Sequence, residues 1–303
     1  MRALIALGGN SLLRRGEAAE AAARQDNVAA AAQAIADLAA EHEAVITHGN
    51  GPQVGLLALQ NESYGPPAPY PLDVLGAESE GMVGYMLELA LRNALPDRDL
   101  VTVLSEVVVS ADDPAFKAPS KPIGPLYEAE QAKRLATERG WSIGPDGDGF
   151  RRLVPSPEPQ AILELASLRT LIDAGVLLIC AGGGGIPVTL DGDGRMIGVE
   201  AGVDKDLTAS LLARRLDADV LVMLTDVDAV HLGWGTGSDR TLGKVTAAEL
   251  REHSVAPGSM GPKVEAACRF VEATGRRAAI GELRKAVEIV RGESGTQISA
   301  PRA

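Results

Sequence analysis

Apolar residues along this chain fall into two rhythms. Short, nearly unbroken runs of Val, Ile, Leu and Ala recur at Arg2–Leu7, Ala44–Thr47, Leu100–Val109, Val176–Ala181, Val220–Leu224 and Arg277–Ile280. Continuous rather than alternating runs predict central parallel strands covered on both faces. Between them, apolar positions repeat every three to four residues. This predicts helices over Glu17–Glu41, Val54–Asn61, Leu72–Leu95, Ala161–Ala174, Asp206–Leu216, Lys263–Thr274 and Leu283–Arg291. Gly175, Gly275 and Gly292 stand just past three of these, where a left-handed cap ends a helix. Strand–helix alternation of this kind predicts an α/β three-layer sandwich around a mostly parallel sheet.

One stretch, about 112–159, breaks the alternation and is rich in Pro and Gly. It reads as an inserted lid or protruding subdomain with a short helix near Glu128–Arg139. A hairpin is expected around Asp146-Gly147-Asp148-Gly149, and a small core from Trp141, Ile143, Phe150, Leu153 and Val154.

Composition narrows the partners. The 303 residues are 46% hydrophobic and 23% charged, the balance of a soluble chain with a large core. A net charge of −12 argues against nucleic acid or an anionic membrane as a bulk partner. Met1–Arg15 lacks the uninterrupted apolar stretch of a signal peptide, and no run of 18 apolar residues occurs, so a cytoplasmic protein is expected. Cys180 and Cys268 stand in apolar surroundings and read as buried thiols rather than a disulfide or zinc site. His42, His48, His231 and His253 show no metal spacing, although His48 adjoins a glycine loop.

Three predicted strands end in glycine clusters: Gly8-Gly9-Asn10, His48-Gly49-Asn50-Gly51-Pro52-Gln53, and Gly182-Gly183-Gly184-Gly185-Ile186-Pro187. Glycine lets backbone N–H groups approach an anion closely, and in open parallel sheets ligands bind beyond these strand ends. The phosphate loop G-x-x-x-x-G-K-[ST], the dinucleotide fingerprint and the serine-hydrolase elbow are all absent. Asp191-Gly192-Asp193-Gly194-Arg195 imitates the start of a calcium loop but has Arg195 at the third acidic position, so a hairpin turn is expected there.

Lysines are scarce, and three of them occupy stiff loops. Lys121 lies in Pro119-Ser120-Lys121-Pro122, Lys205 in Asp204-Lys205-Asp206 and Lys263 in Gly258-Ser259-Met260-Gly261-Pro262-Lys263. Solvated lysines decorate helix faces, as Lys133 and Lys285 do in the predicted elements; fixing them in loops suggests a fixed anionic target. Phosphoryl transfer asks a protein mainly for positioning and charge neutralisation. At about 3 Å and an effective dielectric near 20, an ammonium–oxygen pair gains roughly 5 kcal/mol before desolvation. Asp206 either caps the helix that follows or holds lysine ammonium groups in register. Asp226, in Leu224-Thr225-Asp226-Val227-Asp228, is either a turn residue or meets a ribose or base.

Taken in order, these motifs, with Lys121-Pro122-Ile123-Gly124-Pro125, Val154-Pro155-Ser156-Pro157 and Val203-Asp204-Lys205-Asp206, resemble the carbamate kinases of the amino acid kinase superfamily. The resemblance runs from about residue 2 to residue 300. It implies one domain over 1–303 with an eight-stranded, mostly parallel sheet. About 1–200 would hold carbamate or carbamoyl phosphate and about 201–303 ATP or ADP with Mg2+, in a homodimer active in arginine or carbamoyl phosphate catabolism. It assigns Lys121, Lys205 and Lys263 to the transferring phosphoryl group and Asp206 to organising them. Gly8, Gly9 and Asn10 would line the phosphates and Gly49, Asn50 and Gly51 the carbamoyl moiety. Gly183, Gly184, Thr225, Asp226 and Met260 would meet the nucleotide. Relatives such as acetylglutamate kinase carry a lysine two residues before the Gly-Gly pair; Ala6 stands there, and Lys121 takes its place. That exchange favours a very small acceptor, which a lid completes from above. A superfamily kinase for another small acid and a non-catalytic sensor of nucleotide or acyl phosphate are the competing readings.

Overall fold

The computed structural model describes residues 1–9, 21–64, 69–234, 239–253 and 260–301. The first apolar run folds as the strand β1 (Arg2–Leu7), and its period of two divides the core. Ala3, Ile5 and Leu7 join one buried cluster, Leu4 and Ala6 the other. A strand that buries both faces has no polar side to spare, which is why its sequence does not alternate.

Its sheet contains β2 (Glu43–His48), β3 (Leu100–Val103), β4 (Leu177–Cys180), β5 (Val220–Thr225), β6 (Lys244–Thr246), β7 (Arg277–Glu282) and β8 (Thr296–Ser299). The eight strands lie in the order β6-β8-β7-β5-β1-β2-β4-β3. All neighbours from β7 to β3 pair in parallel, whereas β8 is antiparallel to β7. The helices are α1 (Ala21–Ala39), α2 (Gly51–Tyr64), α3 (Leu72–Ala94), α4 (Ala129–Arg139), α5 (Leu165–Asp173), α6 (Lys205–Arg215), α7 (Ala247–Glu252), α8 (Met260–Thr274) and α9 (Ala286–Arg291). Residues of α1, α3 and α9 cover one face of the sheet, and residues of α5, α6, α7 and α8 the other. Fully burying one Leu or Ile is worth about 1.5–3 kcal/mol, so these two layers carry most of the stabilisation.

Sheet order positions the site. β1, β2 and β4 are neighbours, so the glycine clusters that follow them sit side by side at one edge. The chain builds outward from β1 through β2, then returns to the other side of β1 with β5, and this reversal opens a crevice at the carboxyl ends.

Several expected elements differ in the structure. The run Leu100–Val109 is two strands, β3 and Glu106–Val108, because the chain turns out of the main sheet at Ser105. The Ser105 hydroxyl donates to the Val103 carbonyl at 3.1 Å and accepts from the Ala181 amide at 2.9 Å, which fixes the turn. Glu106–Val108 then joins a second sheet with Met196–Gly198, Ile186–Leu190 and Ala161–Ile162. Ala161–Ile162 was expected to open a helix; it pairs as a strand, and α5 starts at Leu165. The segment Glu17–Glu20 lies outside the described residues. Sequence patterning missed β6, β8 and α7, although α7 carries a legible capping box between Thr246 and Glu249.

The insertion is a three-stranded sheet, Lys121–Tyr127, Gly149–Val154 and Ser142–Asp146, with α4 against it. The hairpin closes at Asp146 and Gly149 with Gly147 at positive φ, the first-position glycine of a II′ turn. Of its five expected core residues only Val154 is buried; the others are half-buried. Val154 and Ile123 pack instead on Val54, Leu72 and Leu75 of the main body, and Trp141 lies under the Arg152 guanidinium at 4.6 Å. The lid therefore rests on α2 and α3 more than on a core of its own.

Candidate active site

Asp204 begins the site. With extended backbone, its side chain accepts from the amides of Asp206 (2.9 Å) and Leu207 (3.0 Å), capping α6. The cap reading considered for Asp206 thus belongs to Asp204, and Asp206 is released for another task. Its buried carboxylate, 3% exposed, takes Lys205 Nζ on Oδ1 at 2.7 Å and Lys263 Nζ on Oδ2 at 3.1 Å. Lys263 reaches across from the first described turn of α8.

Burial alone would push the Asp206 carboxyl up, but the two ammonium groups outweigh it and hold the pKa below the usual carboxylate range. Burial likewise works against the Lys205 ammonium, and the Asp206 carboxylate outweighs it, so Lys205 sits above an ordinary lysine. Lys263 is lowered, by its burial and by the neighbouring Lys205 charge. Two cations on one anion leave the cluster net positive, ready to receive a phosphate.

Lys121 enters from the lid. Its Nζ donates to the Val203 carbonyl at 2.6 Å, and desolvation followed by the Lys205 charge lowers its pKa against the pull of Asp204 and Asp206. The three lysines picked out in the sequence therefore converge on one cleft of about 960 Å³, walled also by Gly9, Gly49, Asn50 and Gly51.

Close packing explains the glycines. A Cβ on Gly49 would lie 2.8 Å from the Gly9 amide nitrogen and 3.2 Å from Lys205 Cε. The Gly8 and Gly49 amides bond to the Leu224 and Leu7 carbonyls at 2.8 and 3.0 Å, tying the loops to neighbouring strands. Asn50 donates to Ser79 Oγ at 2.7 Å, and its amide abuts the Gly183 Cα. Gly183 and Gly184 both have positive φ, and Gly184 gives its carbonyl to Thr208 Oγ1 at 2.9 Å.

Not every expected residue faces this cleft. Asn10 lies outside the described residues, as does Gly258-Ser259. Gly184 is buried against Val203 rather than lining the wall. Thr225 ends β5, the strand on the far side of β1, and Asp226 follows it; the Thr225 hydroxyl donates to Asp226 Oδ1 at 3.0 Å. Met260, at the described start of α8, is also outside the wall. The Asp191–Arg195 segment is the expected hairpin turn, with Asp191 Oδ1 accepting from the Asp193 and Arg195 amides. Among the described residues no group of three or more His, Cys, Asp or Glu is arranged to hold a metal ion.

Sequence reasoning missed the supports behind the glycine loops. Glu80, 1% exposed, accepts the Gly182 amide on Oε1 at 2.9 Å, and Ser79 beside it holds Asn50. The signal was present, because Ser79 and Glu80 fall on the buried stripe of α3 between Leu75 and Val83. Asp146 and Arg151 of the lid hairpin, paired at 2.9 Å, also face the cleft.

The chain is similar to known proteins over nearly its whole length. Residues 1–282 match the family model described as the amino acid kinase family. The carbamate kinase of Rhizobium meliloti (strain 1021) is 53% identical over 303 residues, covering 99% of this chain and 94% of the relative. That of Haemophilus influenzae is 50% identical over 300 residues, covering 99% and 97%. Among solved structures, the carbamate kinase from Giardia lamblia bound to AMP-PNP superposes with a TM-score of 0.91 at 39% identity, covering 99% of this chain and 98% of that one.

Proposed function

The chain belongs to the amino acid kinase family and, within it, to the carbamate kinases, and on that premise we propose how its cleft carries out phosphoryl transfer between carbamoyl phosphate and ADP. The bond from the carbamoyl oxygen to phosphorus breaks, and a bond from a terminal oxygen of ADP to the same phosphorus forms. Carbamate leaves as an anion and ATP is produced; the reverse step uses the same groups.

The observation that carries the assignment of roles is the Lys205–Asp206–Lys263 cluster at the floor of the cleft. Its ammonium groups neutralise charge on the moving PO3 unit, while Asp206 keeps them at a fixed separation. Lys121 closes over the same unit from the lid, where its single bond to the Val203 carbonyl is easily exchanged for a phosphate oxygen. Preorganised cations of this kind act without reorganising at the moment of transfer. Gly8, Gly9 and Asn10 line the phosphates, and Gly49, Asn50 and Gly51 surround the carbamoyl moiety. Lid closure keeps water from the acyl phosphate.

The half after about residue 201 holds the nucleotide, with Thr225, Asp226 and Met260 as its contacts and Gly183 contributing from the other half. Mg2+ enters with the phosphates of the nucleotide substrate. The enzyme works as a cytoplasmic homodimer in the ATP-forming direction, in the breakdown of arginine or carbamoyl phosphate. An apolar stripe on α3 supports the dimer: Tyr85 and Leu89, one turn apart, are 65% and 49% exposed, and Leu104 lies alongside Gly81 of the same helix face.

The test is a coupled assay for ATP from ADP and carbamoyl phosphate, run beside Lys205→Ala and Lys263→Ala. Conversion by the unaltered chain and its loss in both variants is expected. If both variants kept nearly full conversion, the roles given to the lysines would be wrong; turnover with acetylglutamate or UMP instead of carbamate would redirect the substrate.

A further inference from the structure

The stretch that leads into α6 also seats the lid. Ala201 and Val203 are buried and anchor it in the main body, while Glu200 between the two bodies is exposed. Three lid groups bond to the residues from Glu200 to Val203. The Gly202 amide donates to the Pro155 carbonyl at 2.9 Å. The Val203 carbonyl accepts from Lys121 Nζ at 2.6 Å, and Glu200 Oε2 accepts from Arg152 Nη2. Lys121 opens the first lid strand, and Pro155 directly follows the strand that carries Arg152. The next residues along the chain are Asp204, the α6 cap, and then Lys205 and Asp206 of the cation cluster.

Glu200 alone of these three reaches a further element. Its Oε1 accepts from the amide of Leu72, the first residue of α3, where Pro71 supplies no side-chain cap. One carboxylate thus joins the lid to α3. The guanidinium is held ready for it: Arg152 lies over the Trp141 ring at 4.6 Å, and its side chain is only 21% exposed. In the lid ladder Arg152 faces Ile123, and Val154 faces Lys121. Pinning Arg152 therefore fixes the strand position of Lys121, two residues or about 7 Å further on.

The other lid contacts do not set that position. Ile123 and Val154 pack on Val54, Leu72 and Leu75, and apolar packing is non-directional. The Lys121 bond to Val203 is the one exchanged for a phosphate oxygen during transfer. An ion pair with a planar guanidinium is directional and stays in place through that exchange.

We propose that Glu200 is a positioning residue for phosphoryl transfer: its carboxylate, shared between Arg152 of the lid and the first amide of α3, holds Lys121 over the Lys205–Asp206–Lys263 cluster when Lys121 leaves the Val203 carbonyl. Glu200 itself is half exposed, and exposed pairs add little to global stability. Its effect is on where the lid sits. The inference rests on reading Lys121 as a contact of the moving phosphoryl group.

The test compares the full chain with Glu200→Ala, Arg152→Met and the double variant. Arg152→Met leaves the Leu72 bond intact and isolates the tie to the lid. Each single variant should lower kcat for ATP formation from ADP and carbamoyl phosphate by about tenfold, as a small misplacement at a reacting centre does. The double variant should also lose about tenfold rather than about a hundredfold, because either change breaks the same pair. KM for ADP should stay within about twofold, since the lost interaction acts on the transfer step. Phosphate released per ATP formed should rise as a displaced lid admits water, whereas simple loss of folded protein would lower both products together. Hydrogen exchange should quicken in the lid strands Lys121–Tyr127 and Gly149–Val154 and stay unchanged in β1 and β5. Losses that multiply in the double variant, or lid exchange unaltered in both single variants, would overturn the proposal. The exchange result does not depend on activity, so failure of the lid seat and failure of the phosphoryl-transfer reading are told apart.

Discussion

Lys205 and Lys263, 58 positions apart in sequence numbering and on different helices, donate to opposite oxygens of one carboxylate, that of Asp206, at 2.7 and 3.1 Å. Replacing Asp206 by Asn leaves two ammonium groups facing each other in a buried site. Breaking a buried pair in this way costs about 3–5 kcal/mol of stability. The urea midpoint of Asp206→Asn should fall accordingly, and kcat should drop by at least about 10²-fold as the cations lose register. Inorganic phosphate should bind more tightly to the variant by calorimetry, because the cluster gains net positive charge. An unchanged midpoint with unchanged kcat would remove Asp206 from its organising role.

Lys121 tests the lid. It is held to the main body by the Val203 carbonyl, and the lid packs there through Ile123 and Val154. Lys121→Met keeps the stem and removes the charge, so thermal stability should change little. ATP formation should fall by about 10²-fold, the usual loss for one preorganised donor. Measuring phosphate release beside ATP formation separates lost transfer from lost shielding against water. Full ATP formation by Lys121→Met would mean that the lid lysine does not touch the moving group.

The layers and the three lysines were legible in the sequence because they rest on local signals. Continuous apolar runs mark doubly covered strands, and a lysine between prolines or beside a helix start has few reasons to be there. What stayed hidden depends on partners distant in sequence. Nothing local shows that Ser105 turns Leu100–Val109 into two strands, since its anchor is the Ala181 amide. Whether Asp206 caps α6 or holds the lysines stays open in the sequence because Asp204 and Asp206 are equally good capping residues; only the backbone of Asp204 and the reach of Lys263 decide it. Edge strands β6 and β8 are short, and their pairing with each other and with β7 is invisible without the sheet. Glu80 was visible as a charge on an apolar stripe, but its target, the Gly182 amide, was not.

His231 joins the two strands of a hairpin beyond β5, with Nε2 2.8 Å from Asp228 and Nδ1 2.8 Å from Asp239. Desolvation pulls its pKa down, but the hydrogen bonds to Asp228 and then Asp239 outweigh it, so the imidazolium is favoured above the ordinary value of 6.5. A raised folded-state pKa gives a contribution that is fully present below 6.5 and is lost as pH rises through the folded value. Unfolding free energy of the unaltered protein should therefore decline over that range relative to His231→Gln. Trp234, edge-on to the ring at 4.6 Å, offers a local fluorescence probe. Parallel stability curves for the two proteins between pH 6 and pH 9 would show that this clamp contributes nothing.

Gly49 tests whether close approach or mere flexibility explains the second glycine cluster. Its φ is not in the left-handed region, so alanine is conformationally permitted there. Space is the obstacle: the added methyl would sit 2.8 Å from the Gly9 amide nitrogen and 3.0 Å from its Cα, both backbone atoms that cannot swing away. Lys205 Cε, at 3.2 Å, is the one flexible neighbour among the three nearest atoms. Gly49→Ala should therefore displace the Gly9 loop and tilt Lys205 off Asp206, at an overpacking cost of about 1–3 kcal/mol. Because the Gly8 and Gly49 amides bond to carbonyls of β5 and β1 ahead of the crowded atoms, the fold should survive with a modestly lower melting temperature. The loss should appear mainly in kcat, by about 10²-fold, the penalty for a misplacement near 1 Å at a reacting centre. Gly51→Ala, where an added Cβ meets nothing within 4 Å, is the matched control and should retain its thermal stability. A Gly49→Ala protein with unaltered turnover would show that the Gly9 loop has room to move, and that the tight packing around Lys205 is not what sets its position.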